Sequence, residues 1–200
     1  ILHRLDKITS GVILVARNQN YFDYLKKLFQ ARQIKKTYLA LVWGRVVPKV
    51  GVIKKPILIK SGTVKRTVFK GRMEKEAVTE YRVLKYFLKN NKCNISSTIE
   101  NKILHFSFLR LTPLTGRTHQ IRVHLASIGH PIVGDALYGK RRFPFGRSPA
   151  GRQFLHAESL EFSTAEGHRV KIEAELPGEL QKCLKSLNPK LQTRVLAIRI

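Results

Sequence analysis

Aspartate is scarce in this 200-residue chain, which holds only Asp6, Asp23 and Asp135. Asp23 falls on the solvent side of the first predicted helix, whereas Asp6 lies in a loop flanked by Thr, Ser and Gly at the entrance to a predicted strand. A carboxylate so placed can attack as a nucleophile, steady a cationic centre or remove a proton. The stretch Thr115-Gly116-Arg117-Thr118-His119-Gln120-Ile121-Arg122-Val123-His124 gathers cations and hydrogen-bond donors into a loop and the first turns of a helix. Such a place would hold an RNA phosphate or a carboxylate, although the same residues read equally well as a solvated basic face. Arg122 weighs toward the first reading, because it follows core-facing Ile121 and can reach inward at the helix edge, where an arginine needs an anion.

Two other patterns lead nowhere. Gly134-Asp135-Ala136-Leu137-Tyr138-Gly139-Lys140 fits the spacing of a phosphate loop, but Arg141 stands where Ser or Thr would bind magnesium and Pro144 blocks the following helix. His119 and His124 are five residues apart, off a common helix face, so phosphate contact or helix packing is expected of them and no metal site is assigned. Cys93 and Cys183 are isolated, which supports neither a disulfide framework nor a zinc site.

The elements that must position these groups follow from periodicity. Residues 12–16, Val-Ile-Leu-Val-Ala, read as a short buried strand. Asn18 is placed to cap a helix in which Tyr21 or Phe22, Leu25, Leu28 and Phe29 recur at three to four residues. Residues 37–43 form the next strand, ended by Gly44, and residues 52–60 a strand that Pro56 confines to an edge or bulge. Residues 77–87 and 103–111 are two further strands, with the Lys- and Asn-rich stretch between them a hairpin loop. The Asn94-Ile95-Ser96 sequon in that loop is taken as chance. Residues 118–128 form a helix stopped by Gly129, and residues 159–162 and 170–174 a hairpin around Glu166-Gly167. Strands outnumber helices, so the expected fold class is α+β, a mixed, largely antiparallel sheet with packed helices, in one domain over residues 1–185. Residues 186–200 are a tail without an evident partner element.

Composition bounds the partner. Thirty-eight Lys and Arg against thirteen Asp and Glu give a net charge of +25, and the pI is near 10.6. A polyanion must screen that repulsion, which points to nucleic acid. An anionic membrane would call for a basic amphipathic helix with a free apolar face, and none is evident. With 43% hydrophobic residues a packed core is expected rather than a disordered tail. No apolar run is long enough to span a bilayer, and nothing reads as a signal peptide, so a soluble, cytoplasmic protein is expected. The chain starts at Ile1 and its only methionine is Met73, so a fragment is expected.

His3-Arg4-Leu5-Asp6-Lys7-Ile8-Thr9-Ser10-Gly11 resembles the HRLDxxTSG signature of the RluA-type RNA pseudouridine synthases, and residues 115–139 resemble that family's second long block. Residues 36–42 and Phe154-Leu155-His156-Ala157 are similar to its tyrosine strand and late LHA segment. The resemblance covers about residues 1–180 and implies a pseudouridine synthase catalytic domain that acts on RNA, large-subunit rRNA first and tRNA second, as a monomer without cofactor or metal. It implies that Asp6 is the catalytic aspartate, Tyr38 the tyrosine against the target base and Arg122 the partner of Asp6. Arg4 would fill the gap left by a flipped nucleotide, with Arg117, His119 and Gln120 as further RNA contacts. The rival reading is a noncatalytic RNA-binding or ribosome-assembly protein on the same fold. It has no need of Asp6, Tyr38 and Arg122 together.

Overall fold

A computed structural model describes residues 2–60, 62–63, 65–95, 98–139 and 151–187. The order of elements is β1 (Ser10–Gly11), α1 (Gln19–Gln30), β2 (Lys35–Trp43), β3 (Val50–Lys54), β4 (Ile57–Ile59), β5 (Arg66–Thr67), β6 (Arg72–Lys75), β7 (Val78–Ile95), β8 (Thr98–Pro113), α2 (Gln120–Ser127), β9 (Leu155–Ser163), β10 (Arg169–Glu173) and α3 (Gly178–Ser186). Seven strands make the main sheet in the order β1-β9-β2-β8-β7-β3, with β10 also paired to β9. Every pairing in it is antiparallel except that of β1 with β9. The expected α+β class therefore holds.

The centre of the sheet is β2, and its sequence explains why. Residues 39–43, Leu-Ala-Leu-Val-Trp, are buried on both faces, as a strand covered from both sides must be. Ile121 and Leu125 of α2 and Leu180 and Cys183 of α3 share the large apolar cluster with Leu41, Phe106, Leu109 and Phe154. On α1, Leu25 and Leu28 pack against Val12, Ile34 and Leu160 in a smaller cluster. Full burial of each such leucine contributes about 2 kcal/mol. Asn18 caps α1 as its type requires, accepting from the Tyr21 amide at 2.9 Å.

Several elements differ from the sequence expectation. Residues 12–16 are not a strand: only Ser10–Gly11 is paired, the Val12 amide bonds the Ala157 carbonyl at 3.0 Å, and the Leu14 amide is taken by the His3 side chain at 2.8 Å. The apolar residues are still used, since Val12, Leu14 and Ala16 face α1. The run 52–60 is two strands in two sheets. Lys54 ends β3 at the main sheet's edge, and beyond Pro56 the chain turns into β4, the middle strand of a separate small sheet ordered β5-β4-β6. The hairpin loop expected between residues 87 and 103 is instead a continuation of the ladder, with Asn90 opposite Ile103 and Ile95 opposite Thr98. Backbone pairing does not need apolar side chains, so the polar composition there misleads. Asn94 of the sequon lies in β7, and Ser96 is outside the described residues. Helix α2 begins at Gln120 rather than 118, because His119 takes a left-handed conformation with φ of 56°. Helix α3 was not expected at all; its Leu180, Cys183 and Leu187 spacing carries the signal. The tail from residue 188 onward lies outside the described residues.

A directional polar chain locks α2 to β7. The Val78 amide donates to Thr115 Oγ1, whose hydroxyl donates to Gln120 Oε1 at 2.8 Å. Gln120 Nε2 donates to the Val78 carbonyl and to Thr79 Oγ1, and Thr79 lies 2.9 Å from His124 Nδ1. His124 Nε2 faces the Lys55 carbonyl at 2.9 Å. A carbonyl only accepts, so the ring carries its proton on Nε2 and Nδ1 accepts from Thr79. His124 is fully buried, and burial lowers its pKa below the ordinary histidine value. The unfolded chain thus takes up a proton near pH 6.5 that the folded state resists. His3 and His119 are lowered in the same direction. Stability should be complete above about pH 6.5 and fall as the medium is acidified below it. Thermal unfolding between about pH 7.5 and about pH 5.5 measures this, with a shallower decline expected for His124→Gln.

Candidate active site

A cleft of about 860 Å³ opens between the segment leading into β1, the start of β2 and the loop joining β8 to α2. The first wall is fixed by side chains that do no chemistry of their own. The Thr9 amide bonds the Asp6 carbonyl at 2.9 Å. Arg152 donates to the Ile8 carbonyl at 2.7 Å and to Ser10 Oγ at 2.8 Å, while Gln153 donates to Thr9 Oγ1 at 2.7 Å. His156 holds Ser10 from the other side at 2.9 Å. Gly11, with φ of 118°, lies so close to β9 that an added Cβ would collide with the Ala157 backbone, which requires glycine there. Asp6 is thereby held on a loop that is rigid without being part of a strand.

The opposite wall supplies Arg122. Its Nη1 donates to Asp6 Oδ2 at 2.9 Å. Its Nε and Nη2 donate to Asp135 Oδ2 and Oδ1 at 2.7 and 3.0 Å. The planar fork expected for Asp6 is therefore spent on Asp135, and Asp6 receives the one remaining edge. Asp135 is fully buried and its Oδ1 also accepts the Leu137 and Tyr138 amides at 2.9 and 3.0 Å. Burial opposes the Arg122 charge, but the bonds and charge of Asp135, then those of Asp6, outweigh it and raise the guanidinium above its ordinary value. The Tyr138 ring lies under the guanidinium at 5.2 Å, an arrangement that adds cation–π attraction.

Tyr38 lines the same cleft. It stands where the β2–β9 register shifts, Thr37 opposite Ser159 and Tyr38 opposite Ala157, so Glu158 is the extra residue of a bulge. Burial, then the Asp6 charge, pushes the Tyr38 hydroxyl up to about 12. It is a neutral phenol at physiological pH. Asp6, Arg122 and Tyr38, expected together from the sequence, do line one cleft.

The model of the family described as RNA pseudouridylate synthase matches residues 1–127, a stretch that contains all three of these residues. The chain belongs to that family. It is 35% identical over 198 residues to the ribosomal large subunit pseudouridine synthase C of Salmonella typhi, covering 95% of this chain and 56% of the relative. It is 38% identical over 161 residues to the dual-specificity RNA pseudouridine synthase RluA of Haemophilus ducreyi, covering 79% of this chain and 64% of the relative. Human RNA pseudouridylate synthase domain containing 1 superposes with a TM-score of 0.73 at 30% identity, covering 94% of this chain and 73% of that one. The chain thus spans between about half and two thirds of the length of these two relatives.

In this pseudouridylate synthase domain the other sequence-predicted residues divide into two kinds. Arg4 is exposed, lines the cleft and makes no bond to the described residues. His119 Nε2 sits 4.0 Å from Asp6 Oδ1, and its Nδ1 is 3.0 Å from the Tyr138 hydroxyl. Burial is the first cause of its lowered pKa. Arg117 also lines the cleft, with its Nε donating to the Glu76 carbonyl at 3.0 Å. Gln120 is a correction: buried, its carboxamide accepts from Thr115 Oγ1 and the Arg117 amide and donates to Val78 and Thr79, which leaves nothing for RNA. Its role is to hold the start of α2. Asp135 and Tyr138 were missed because they sit in the failed phosphate-loop pattern; the scarcity of aspartate was the available signal. Among the described residues no cluster of three or more His, Cys, Asp or Glu is arranged to hold a metal.

Because Asp135 balances a guanidinium that is itself almost fully buried, Asp135→Asn should destabilise the fold by about 3 kcal/mol. Arg122→Lys should lose at least two of the three donated bonds and cost a similar amount. Urea denaturation of the two variants checks both, and wild-type stability in either would show that the ion cluster is not structural.

Proposed function

We propose that this chain isomerises uridine to pseudouridine in structured RNA, with large-subunit rRNA as the first substrate class and tRNA as the second. The observation that carries the reading is a largely buried Asp6 carboxylate, held by Arg122 at 2.9 Å beside the ring of Tyr38 in an open cleft. The names of the relatives from Salmonella typhi and Haemophilus ducreyi support the RNA class. Residues 1–185 form the catalytic unit in this reading, a monomer acting in the cytoplasm. No described helix is long and apolar enough to cross a membrane.

Each group has a task in that reaction. The bond from N1 to C1′ breaks, the base turns while still held, a new bond joins C5 to C1′, and the C5 proton is released as N1 gains one. Atoms and electrons balance without an oxidant or energy source, so the chemistry requires no cofactor. Asp6 serves by attack at C1′ or by removing a sugar proton, and both routes need it ionised. The adjacent guanidinium stays charged, since arginine does not surrender its proton at working pH, and its Nη1 holds Oδ2 at 2.9 Å. Tyr38 offers a flat face to the base, and its neutral hydroxyl is able to donate to a base carbonyl. The target must leave its stack, at a cost of a few kcal/mol, and Arg4 at the mouth is free to occupy the gap.

Asp6→Asn should lower conversion by more than about a thousandfold with little change in RNA affinity, because the carboxylate acts only in bond exchange. Tritium release from RNA labelled at uridine C5 reads the first quantity and filter binding the second. Turnover within about tenfold of wild type would refute the assignment. RNA affinity should also fall steeply with salt, since a domain of net charge +25 releases many counterions on contact. A flat plot of log affinity against log salt would remove the electrostatic part of the reading.

A further inference from the structure

Lys36 is the one cleft residue whose surroundings make no sense for the free protein. It precedes Tyr38 by two on β2, so the two side chains leave the same face of the strand, and both line the cleft. Its ammonium is substantially withdrawn from water, and that withdrawal alone lowers its pKa. No hydrogen bond or ion pair joins it to the described residues. The carboxylates of the cleft are already committed, Asp6 and Asp135 both to Arg122. Opposite the ammonium is Gly116, where an added Cβ would stand 3.5 Å from Nζ. The absence of a side chain there leaves that approach to the nitrogen uncovered. Nearby Arg117 does not fill it, being tied back to the Glu76 carbonyl.

A lysine partly withdrawn from water and given no anion costs folding free energy, unlike exposed Arg4, which stays solvated. Such a group is retained where a ligand brings the missing charge. We propose that Lys36 is a phosphate-binding residue, which takes one backbone phosphodiester beside the uridine held against Tyr38 and fixes how far the nucleotide enters the cleft. That the ligand is RNA rests on the isomerase reading; that an anion belongs there rests on the unpaired ammonium. The phosphate is the only anionic group that a nucleotide offers, and a point-charge ammonium suits it.

The test uses the full chain with Lys36→Met, Lys36→Arg and, as a charge-matched control, Lys26→Met on the exposed side of α1. The probe is an RNA hairpin with an all-uridine loop, in which loop phosphates are replaced one at a time by uncharged methylphosphonate. Lys36→Met should weaken binding about tenfold and Lys26→Met less than about twofold, with Lys36→Arg between them. One methylphosphonate position should cost the wild type about the same tenfold and cost Lys36→Met nothing more, the signature of a shared interaction. The thermal midpoint of Lys36→Met should equal or exceed that of the wild type, because a partly buried charge without a counter-ion has been removed. Equal affinity of the two methionine variants, additive losses at every methylphosphonate, or a lower midpoint for Lys36→Met would overturn the assignment. Affinity is read without turnover, so a wild type that converts no uridine would defeat the isomerase reading while the binding comparison still decided the role of Lys36.

Discussion

One guanidinium shared between two carboxylates sets the geometry of this domain. Arg122 is nearly buried and would be intolerable there without counter-charge. Asp135 neutralises it with two parallel bonds, and the remaining edge orients Asp6. The three residues come from the segment before β1, from α2 and from the turn beyond α2, so the cluster joins parts of the chain that no local interaction would bring together. Its formal charge is negative by one unit. That leaves a carboxylate facing the cleft, while the cation that holds it is turned inward and spent.

Around the cluster the backbone bends to fit. His119 adopts a left-handed conformation, uncommon for a residue with a side chain and costing of order 1 kcal/mol. The distortion lets α2 start at Gln120, bringing Arg122 over Asp6. The Gln120, Thr79 and His124 chain then fixes the helix to β7 with every polar atom answered. A fully satisfied buried network of this kind rigidifies a site at no cost in unpaired groups. The β9 bulge at Glu158 does similar work for Tyr38, and Arg110 secures the bulged residue with bonds of 2.9 and 3.0 Å.

Charge is distributed on two principles. The net charge of +25 gives the domain a general attraction for polyanions. Arg122, which is buried, and Lys36, which is partly buried, are different. Arg122 has its counter-charge within the protein, and Lys36 has none among the described residues. Stability is spent in one place and secured in the other, a division expected where a site must be rigid before its ligand arrives.

The sequence by itself was sufficient for the fold class, for β2, for α1 with its Asn18 cap, and for the choice of Asp6, Tyr38 and Arg122. The elements depend on residue type and short-range spacing, which a linear chain displays in full, whereas the three site residues, Tyr38 above all, were picked out by the resemblance of their motifs to a known family. Only the tertiary structure decided which carboxylate receives the fork of Arg122, because the direction of a guanidinium depends on Asp135 and Asp6, which lie 13 and 116 residues away along the chain. The same holds for Gln120, expected to contact RNA, whose bonding capacity is used in full by Val78, Thr79, Thr115 and the Arg117 amide. Residues 12–16 have the composition of a strand, but a strand also needs a neighbour with free backbone groups, and β9 has given that part of its edge to β10. The long β7–β8 ladder shows the converse: polar residues remain in a strand where a facing strand supplies the hydrogen bonds. Side-chain pattern reports which surface is dry, whereas pairing is settled by backbone groups that every sequence carries alike.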